Sequence, residues 1–391
     1  MITFDDAESV LRNYYLDAIT NQLNGDVSPF FNAIEKTSEN VDGRCVNLAI
    51  ADSSGQGVVA LAEDDDLPAA SGNSYYSVSL PLKNLYGTIE ITDKTIRASA
   101  GSPNTMINVL NAEMEGLVSR AKSNFARMLY GDGDGTICIV HSKRGSTSIT
   151  VDNAKGFFVG SDISIKMEND TTLKTKVQRV IPTQEGGIGT IYITDQLGMV
   201  NVERDSPVAI TGAEGKELSG LASIFDKYEV YGINKDNNPT FMPYDIEIEY
   251  DKLTEHDIME AIDKLDEMHD SKINMILCSH NTRRKIASLT SATRAIVNST
   301  DIAAGYSSLV INGVPVYADK YCPENRIYFV NTNDFALCQL CDWSWLEGEG
   351  GKVLKQIPGK AAYSATLVKY AELVCKKPGG QGLIRLCPAE G

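Results

Sequence analysis

Four histidines, eight cysteines and a surplus of carboxylates are the groups in this 391-residue chain that could do chemistry. The histidines are His141, His256, His269 and His280. A zinc-binding helix needs two imidazoles one turn apart, at i and i+4, so that both reach the same metal. His256 and His269 stand thirteen residues apart and lack that spacing. The close cysteine pair is Cys338-x-x-Cys341, without the second pair or the histidines that would close a tetrahedral site. The other cysteines (Cys45, Cys138, Cys278, Cys322, Cys375 and Cys387) are spread along the chain, several inside apolar runs such as the INMILC that ends at Cys278. That spread fits reduced, buried thiols in a cytosol rather than a disulfide framework.

The other chemical patterns are also incomplete. No Gly-rich loop carries the Lys and Ser/Thr that cradle phosphates. No serine sits in a nucleophile-elbow pattern between a strand and a helix. The run Tyr130-Gly-Asp-Gly-Asp-Gly-Thr136 resembles part of a calcium loop but lacks the downstream acidic ligands, so it reads as a connector. Asp64-Asp65-Asp66 could attract a cation, but reads as a solvated tip or a docking patch. The sequence therefore assigns no catalytic, cofactor-binding or metal-binding residue. An enzyme would need a site assembled from distant residues.

Charge narrows the function classes. Against 36 basic residues stand 52 acidic ones, a net charge of −16, which is opposite to what phosphate-backbone binding requires. The charge is uneven: residues 1–70 hold thirteen acids and three bases, whereas 352–385 hold seven bases and one acid. Ends of opposite sign invite contact, within one subunit or between neighbours. The opening MITFDDAESVLRNYY has early acids and no apolar core, unlike a secretory signal, and no run reaches the ~18 apolar residues of a membrane span. A soluble protein is expected.

The elements that would position these groups follow from periodicity. Residues 1–40 read as an arm, whose Ser28-Pro29-Phe30-Phe31 should dock on the protein's own body or on a neighbour. Over 42–100, an outgoing strand VDGRCVNLAI and a returning SYYSVSLPLKNLYGTIEI flank a long polar, acidic connection. A helix is expected over 103–130, capped by Ser102, opened by Pro103 and closed at Gly131. Met106, Leu110, Leu117, Ala121, Phe125 and Leu129 would form its apolar stripe. ICIV, SITV, GFFVGSDISIKM, LKTKVQRVI, GTIYIT and SPVAI then predict an all-β module, a barrel or sandwich, with a turn at Gly186-Gly187. Residues 221–340 read as α/β, with a helix begun at Thr254, a buried strand INMILC, and a type I′ hairpin at Asn312-Gly313. A long strand through AYSATLVKYAELVCKK and an apolar GLIRL close the chain.

This order of parts resembles the HK97-like major capsid proteins of tailed bacteriophages. The stretch SLVINGVPVYADKYCPENRIYFVNTNDF and the YGDGDGT after the long helix carry the resemblance most strongly. It implies an α+β fold with an N-terminal arm over 1–41 and an extended E-loop over 42–102, tip at 52–72. It further implies a peripheral-domain spine helix in 103–135, an axial α/β domain over 213–342 and peripheral C-terminal strands over 343–391. Residues 136–212 would be an inserted all-β domain. The implied function is self-assembly, as hexamers and pentamers, into an icosahedral shell around double-stranded DNA held without sequence-specific contacts. Implied partners are a separate scaffolding protein and a portal, with no membrane. The implied location is the virion, and the host cytoplasm during assembly. Some members crosslink a lysine of the E-loop to a neighbour; here the tip has no lysine, and Lys83 and Lys94 lie on the returning side, so that bond is not expected. In the family the arm and E-loop lie over the next subunit's peripheral domain. Asp64, Asp65 and Asp66 are therefore expected to meet Lys376 and Lys377 across subunits.

Two other readings fit the same residues. An encapsulin-like nanocompartment would have the same fold and enclose enzymes instead of DNA. A carbohydrate-binding protein would use the β module of 136–212.

Overall fold

The computed structural model describes residues 23, 27–53, 60–62, 72–95, 103–167, 171–182, 188–194, 201–291, 309–348 and 352–387. Before the long helix come β1 (Glu35–Thr37), β2 (Val41–Asp42), β3 (Cys45–Ser53), β4 (Ser74–Pro81) and β5 (Lys83–Thr92). The helix Pro103–Met128 is followed by β6 (Thr136–Lys143), β7 (Ser148–Val151), β8 (Asp162–Lys166), β9 (Thr172–Pro182), β10 (Gly189–Ile193) and β11 (Pro207–Ile210). Next come β12 (Glu229–Val230), β13 (Ile233–Asn234), β14 (Tyr244–Glu249), the helix Glu255–His269, β15 (Met275–Cys278) and the helix His280–Ser291. The chain closes with β16 (Leu309–Ile311), β17 (Val314–Ala318), β18 (Arg326–Val330), β19 (Phe335–Trp345), β20 (Lys355–Gln356), β21 (Ala362–Cys375) and β22 (Gly382–Cys387).

The N-terminal segment is fastened to the protein's own body. Ser28 Oγ accepts the Phe31 amide at 3.2 Å, and Pro29 opens the short helix Pro29–Ala33. The cap turns Phe30 and Phe31 inward, where both are buried. β1 continues in parallel beside β19.

β19, β21 and β5 are the long strands of a five-stranded sheet, with β21 between the other two. β21 pairs antiparallel with β5 over Ala362–Ala371 and with β19 over Leu367–Cys375. On β5, buried Leu85 and Ile89 alternate with exposed Tyr86 and Thr88, the period of two that places one face on a core. The long helix covers that face with Met114, Leu117, Val118 and Phe125. At ~1.5 Å per residue it is about 40 Å long. It ends at Met128, short of the expected Tyr130, because the amides of Tyr130 and Gly131 turn back to the carbonyls of Arg127 and Met128, an i→i+3 tightening of the last turn. Ser102, the expected cap, lies outside the described residues.

The expected returning strand of the E-loop is split at Leu82. β4 pairs with β3 from Cys45↔Pro81 outward, whereas β5 leaves that hairpin and joins β21. The last bond to the hairpin is the Leu82 amide on the Arg44 carbonyl at 2.9 Å, and from Lys83 the strand changes partner.

Residues 136–210 contain a closed barrel in the order β10-β7-β6-β11-β8-β9. Its interior holds Val140, Ile149, Val151, Ile163, Ile165, Ile191, Ile193 and Val208. Of the expected strand GFFVGSDISIKM only Asp162–Lys166 is extended. Gly156 and Gly160 take φ of 96° and 88°, so the chain turns through that stretch instead. The expected turn at Gly186-Gly187 lies outside the described residues.

Among the described residues, a six-stranded sheet runs β14-β22-β18-β15-β17-β16. Every residue of β15 is buried because the strand separates two cores: Met275 and Leu277 face the helix-covered core, Ile276 and Cys278 face the other. Thr254 and Asp257 form a reciprocal capping box at the start of the helix Glu255–His269. Its Ile258, Ala261 and Leu265 pack on the sheet. Asn312 and Gly313 have φ of 49° and 83° and join β16 to β17, as a type I′ hairpin requires.

The sheet changes one boundary read from the sequence. Residues 343–391 were expected to act together as peripheral strands. Instead β22 lies between β14 and β18 in the α/β sheet, parallel to β14 over Tyr244–Glu249. β19, in turn, starts at Phe335, inside the span expected for the axial domain. The turn Pro378–Gly380 redirects the chain from one sheet to the other.

Candidate functional site

The residues whose types suggested chemistry are kept apart by the fold. His141 and His256 are exposed on β6 and on the helix Glu255–His269, and His280 opens the next helix. His269 is half-buried, and burial, with Lys377 nearby, lowers its pKa. Among the described residues no group of three His, Cys, Asp or Glu side chains could hold a metal. All eight cysteines are free. Cys338 is buried, Cys341 is partly exposed, and a register shift lies between them. In the connector after the long helix, Asp132 Oδ1 accepts the Asp134 amide at 2.9 Å, and Asp134 pairs with Lys227 at 2.7 Å. Both acids serve the turn. No described helix is long and apolar enough to cross a membrane.

The structure brings together ionic groups that the sequence did not single out. Lys369, on β21, is fully buried. Its Nζ donates to Asp342 at 2.6 Å and Gln339 at 2.8 Å, and lies 5.9 Å from the Phe125 ring centre and 5.8 Å from that of Trp343. Burial lowers its pKa, and Asp342 opposes the shift. Glu372, two residues after Tyr370 on the same strand, is 1% exposed and accepts the Ser219 amide at 2.8 Å. Burial pushes its pKa up to about 7. Arg127, at the end of the long helix, is paired with buried Glu217 on the segment leaving the barrel. These pairs brace the sheet, the helix and the barrel against one another.

A cleft of about 1200 Å³ separates the barrel from the α/β sheet. Its charged groups hold partners in the chain. Lys155, from the barrel, reaches Glu324 at 2.6 Å, and Ser279 donates to the same carboxylate at 2.6 Å. Asp251 pairs with Lys285 at 3.4 Å and Arg326 with Asp226 at 2.8 Å. Asp152 accepts the Ile139 amide at 2.8 Å, and its pKa is raised by burial. The arrangement is a set of struts rather than a poised acid–base pair.

The expected contact residues divide. Asp64, Asp65 and Asp66 lie outside the described residues. Lys376 Nζ lies 3.6 Å from Glu35 Oε2 of β1, and Lys377 donates to the Asp270 carbonyl at 3.2 Å. The basic surplus of 352–385 is also smaller at the surface than it reads in sequence, because Lys369 is buried with Asp342. What remains open is a broad outer face on the five-stranded sheet, where Tyr86 and Leu340 are 60% and 53% exposed. Tyr86 meets Tyr370 there edge to face, with centroids 6.2 Å apart.

No protein-family model matches the chain, and no curated protein matches it. Solved structures do. A chain of the cyanophage A-1(L) capsid asymmetric unit matches with a TM-score of 0.54 at 11% identity, over 90% of this chain and 90% of that one. More distant matches include the capsid of Myoviridae phage XM1, with a TM-score of 0.46 at 9% identity over 91% and 90%. Another is the SrpI encapsulin of Synechococcus elongatus PCC 7942, with a TM-score of 0.44 at 11% identity over 92% and 88%. This likeness, over nine-tenths of both chains, gives the protein the fold of a phage capsid subunit, the HK97-like fold.

Proposed function

We propose that this chain is a major capsid protein that assembles as hexamers and pentamers into an icosahedral shell around double-stranded DNA. The observation that carries the reading is the fold match to a cyanophage capsid chain over 90% of both chains. The scattered histidines and the internally paired charges of the cleft support a structural role over a catalytic one. In this reading 1–41 is the arm, 42–102 the E-loop, and 103–135 with 343–391 the peripheral domain, apart from β22. Residues 213–342 are the axial domain. The barrel within 136–212 is an addition to the common fold that decorates the shell or contacts neighbours. The net charge of −16 supports confinement of DNA without tight binding to it. A scaffolding protein and a portal complete the assembly, which takes place in the host cytoplasm and ends in the virion.

Asp64, Asp65 and Asp66 meet Lys376 and Lys377 of a neighbouring subunit, with Lys376 exchanging its contact to Glu35. Each exposed pair is worth only ~0–1 kcal/mol, but the contact repeats throughout a closed shell. The triple variant Asp64→Lys, Asp65→Lys, Asp66→Lys should raise the subunit concentration needed for shells; unchanged assembly refutes the contact.

The test of the function is the content of purified particles. Nuclease-protected double-stranded DNA supports it. Shells that enclose only protein cargo overturn it in favour of a compartment.

A further inference from the structure

The α/β sheet carries two helices on one face, and their charges are opposite. The helix Glu255–His269 packs on β14 and β22, and β14 is an edge strand. The helix His280–Ser291 packs on β17, next to the other edge strand, β16. The first helix bears six acids, with Lys264 its one lysine or arginine; the second bears Arg283, Arg284 and Lys285 and no acid.

The contacts of each helix fix which flank looks outward. Tyr244, on edge strand β14, feels the charges of Glu260, Lys264 and Asp257. With Ile258, Ala261 and Leu265 turned into the core that Tyr244 packs against, and the helix in contact with β14, that flank lies over the β14 edge. Glu260 is exposed there, and Asp263 is exposed beside it. On the second helix, Lys285 turns inward, 3.4 Å from Asp251 and 4.5 Å from the centre of the Tyr250 ring, both in the segment before the first helix. At ~100° per residue Arg283 stands about 200° around the axis from Lys285, so it points away from the first helix, towards the opposite edge. Arg284 is exposed beside it and bonds to Asn281. Among the described residues Glu260, Asp263, Arg283 and Arg284 have no ion-pair partner.

Complementary patches at opposite ends of one unit cannot satisfy each other within the chain. They join head to tail between copies, and a head-to-tail contact closes a ring when its rotation divides the full turn. We propose that Glu260 and Asp263 of one copy dock on Arg283 and Arg284 of the next, and that this contact closes rings of the chain around the α/β sheets. The inference rests on the shell-building reading and names the partner, a second copy, and the surface it uses.

The test is charge reversal in the full chain, read by native mass spectrometry and electron microscopy, with circular dichroism melts to confirm folding. Glu260→Lys with Asp263→Lys, and separately Arg283→Glu with Arg284→Glu, should each raise the concentration needed for ring formation about a hundredfold while leaving the melt unchanged. The first variant is basic at both edges and the second acidic at both. An equal mixture of the two should therefore form rings again, in even-numbered alternation, and the four-residue swap should restore rings of a single chain. Wild-type-like rings from either reversed variant overturn the inference and leave the shell reading intact. A wild-type chain that forms neither rings nor shells overturns both.

Discussion

Phe31 and Phe125 meet edge to face, ring centroids 5.2 Å apart and planes at 86°, and so pin the N-terminal segment to the end of the long helix. Phe30 makes the matching contact with Phe335 at 5.2 Å. The two rings enter the core from one capped turn of helix, so Ser28, Phe30 and Phe31 act as a clasp.

Phe31→Ala empties a buried aromatic site and should cost about 3–5 kcal/mol of subunit stability. A guanidinium unfolding midpoint measured on dissociated subunits checks it. A loss under about 1 kcal/mol would mean that the arm is fastened elsewhere.

Glu372 gives the subunit a pH dependence whose sign follows from its pKa, raised to about 7 by burial. The folded state holds this proton more tightly than the unfolded chain does. Stability is therefore full below the ordinary carboxylate pKa of about 4.5 and is lost as pH rises through 7. The loss is on the order of 3 kcal/mol. Glu372→Gln should remove this fall between pH 5 and 8, measured as unfolding midpoints across that range. An unchanged slope would place the pH dependence on another group.

Lys369 and Asp342 should respond unequally to substitution. Lys369→Met fills the space between Phe125 and Trp343 with an apolar chain, and the half-exposed Asp342 keeps the Trp343 amide, so stability should stay within about 1 kcal/mol of wild type or rise. Asp342→Ala strands a buried ammonium and should cost about 3–5 kcal/mol. Equal losses in thermal melts of the two variants would contradict this account.

Arg127→Met leaves Glu217 buried without its partner, at the point where the long helix meets the segment leaving the barrel. A cost of about 3–5 kcal/mol is expected, with faster hydrogen exchange in residues 213–221. Exchange that speeds only elsewhere would separate the pair from the barrel's attachment.

Local order was legible in the sequence where the signal is local. Thr254 and Asp257 announce a capped helix within four residues, Asn312-Gly313 announces a hairpin, and the alternation of Val78 and Leu80 with exposed Ser77, Ser79 and Pro81 announces a half-buried strand. Partners distant in sequence were not legible. GLIRL reads as a strand, but nothing in it says that it lies parallel to Tyr244–Glu249 instead of beside AYSATLVKYAELVC. The docking of Phe30 and Phe31 stayed open for the same reason: Phe335 lies at the far end of the chain. The Lys369–Asp342 pair depends on irregular pairing, since β19 shifts register twice between Gln339 and Ser344. A regular ladder counted from sequence would not place those two side chains together. Charge counting was misled accordingly, because it treated Lys369 as a surface cation.

Whether copies of this chain build a closed shell is read by electron microscopy of the purified protein, alone and co-expressed with the proposed scaffolding protein. Closed icosahedral shells, or free rings of five and six subunits, are expected. A protein that remains monomeric under every condition would contradict the shell-building reading.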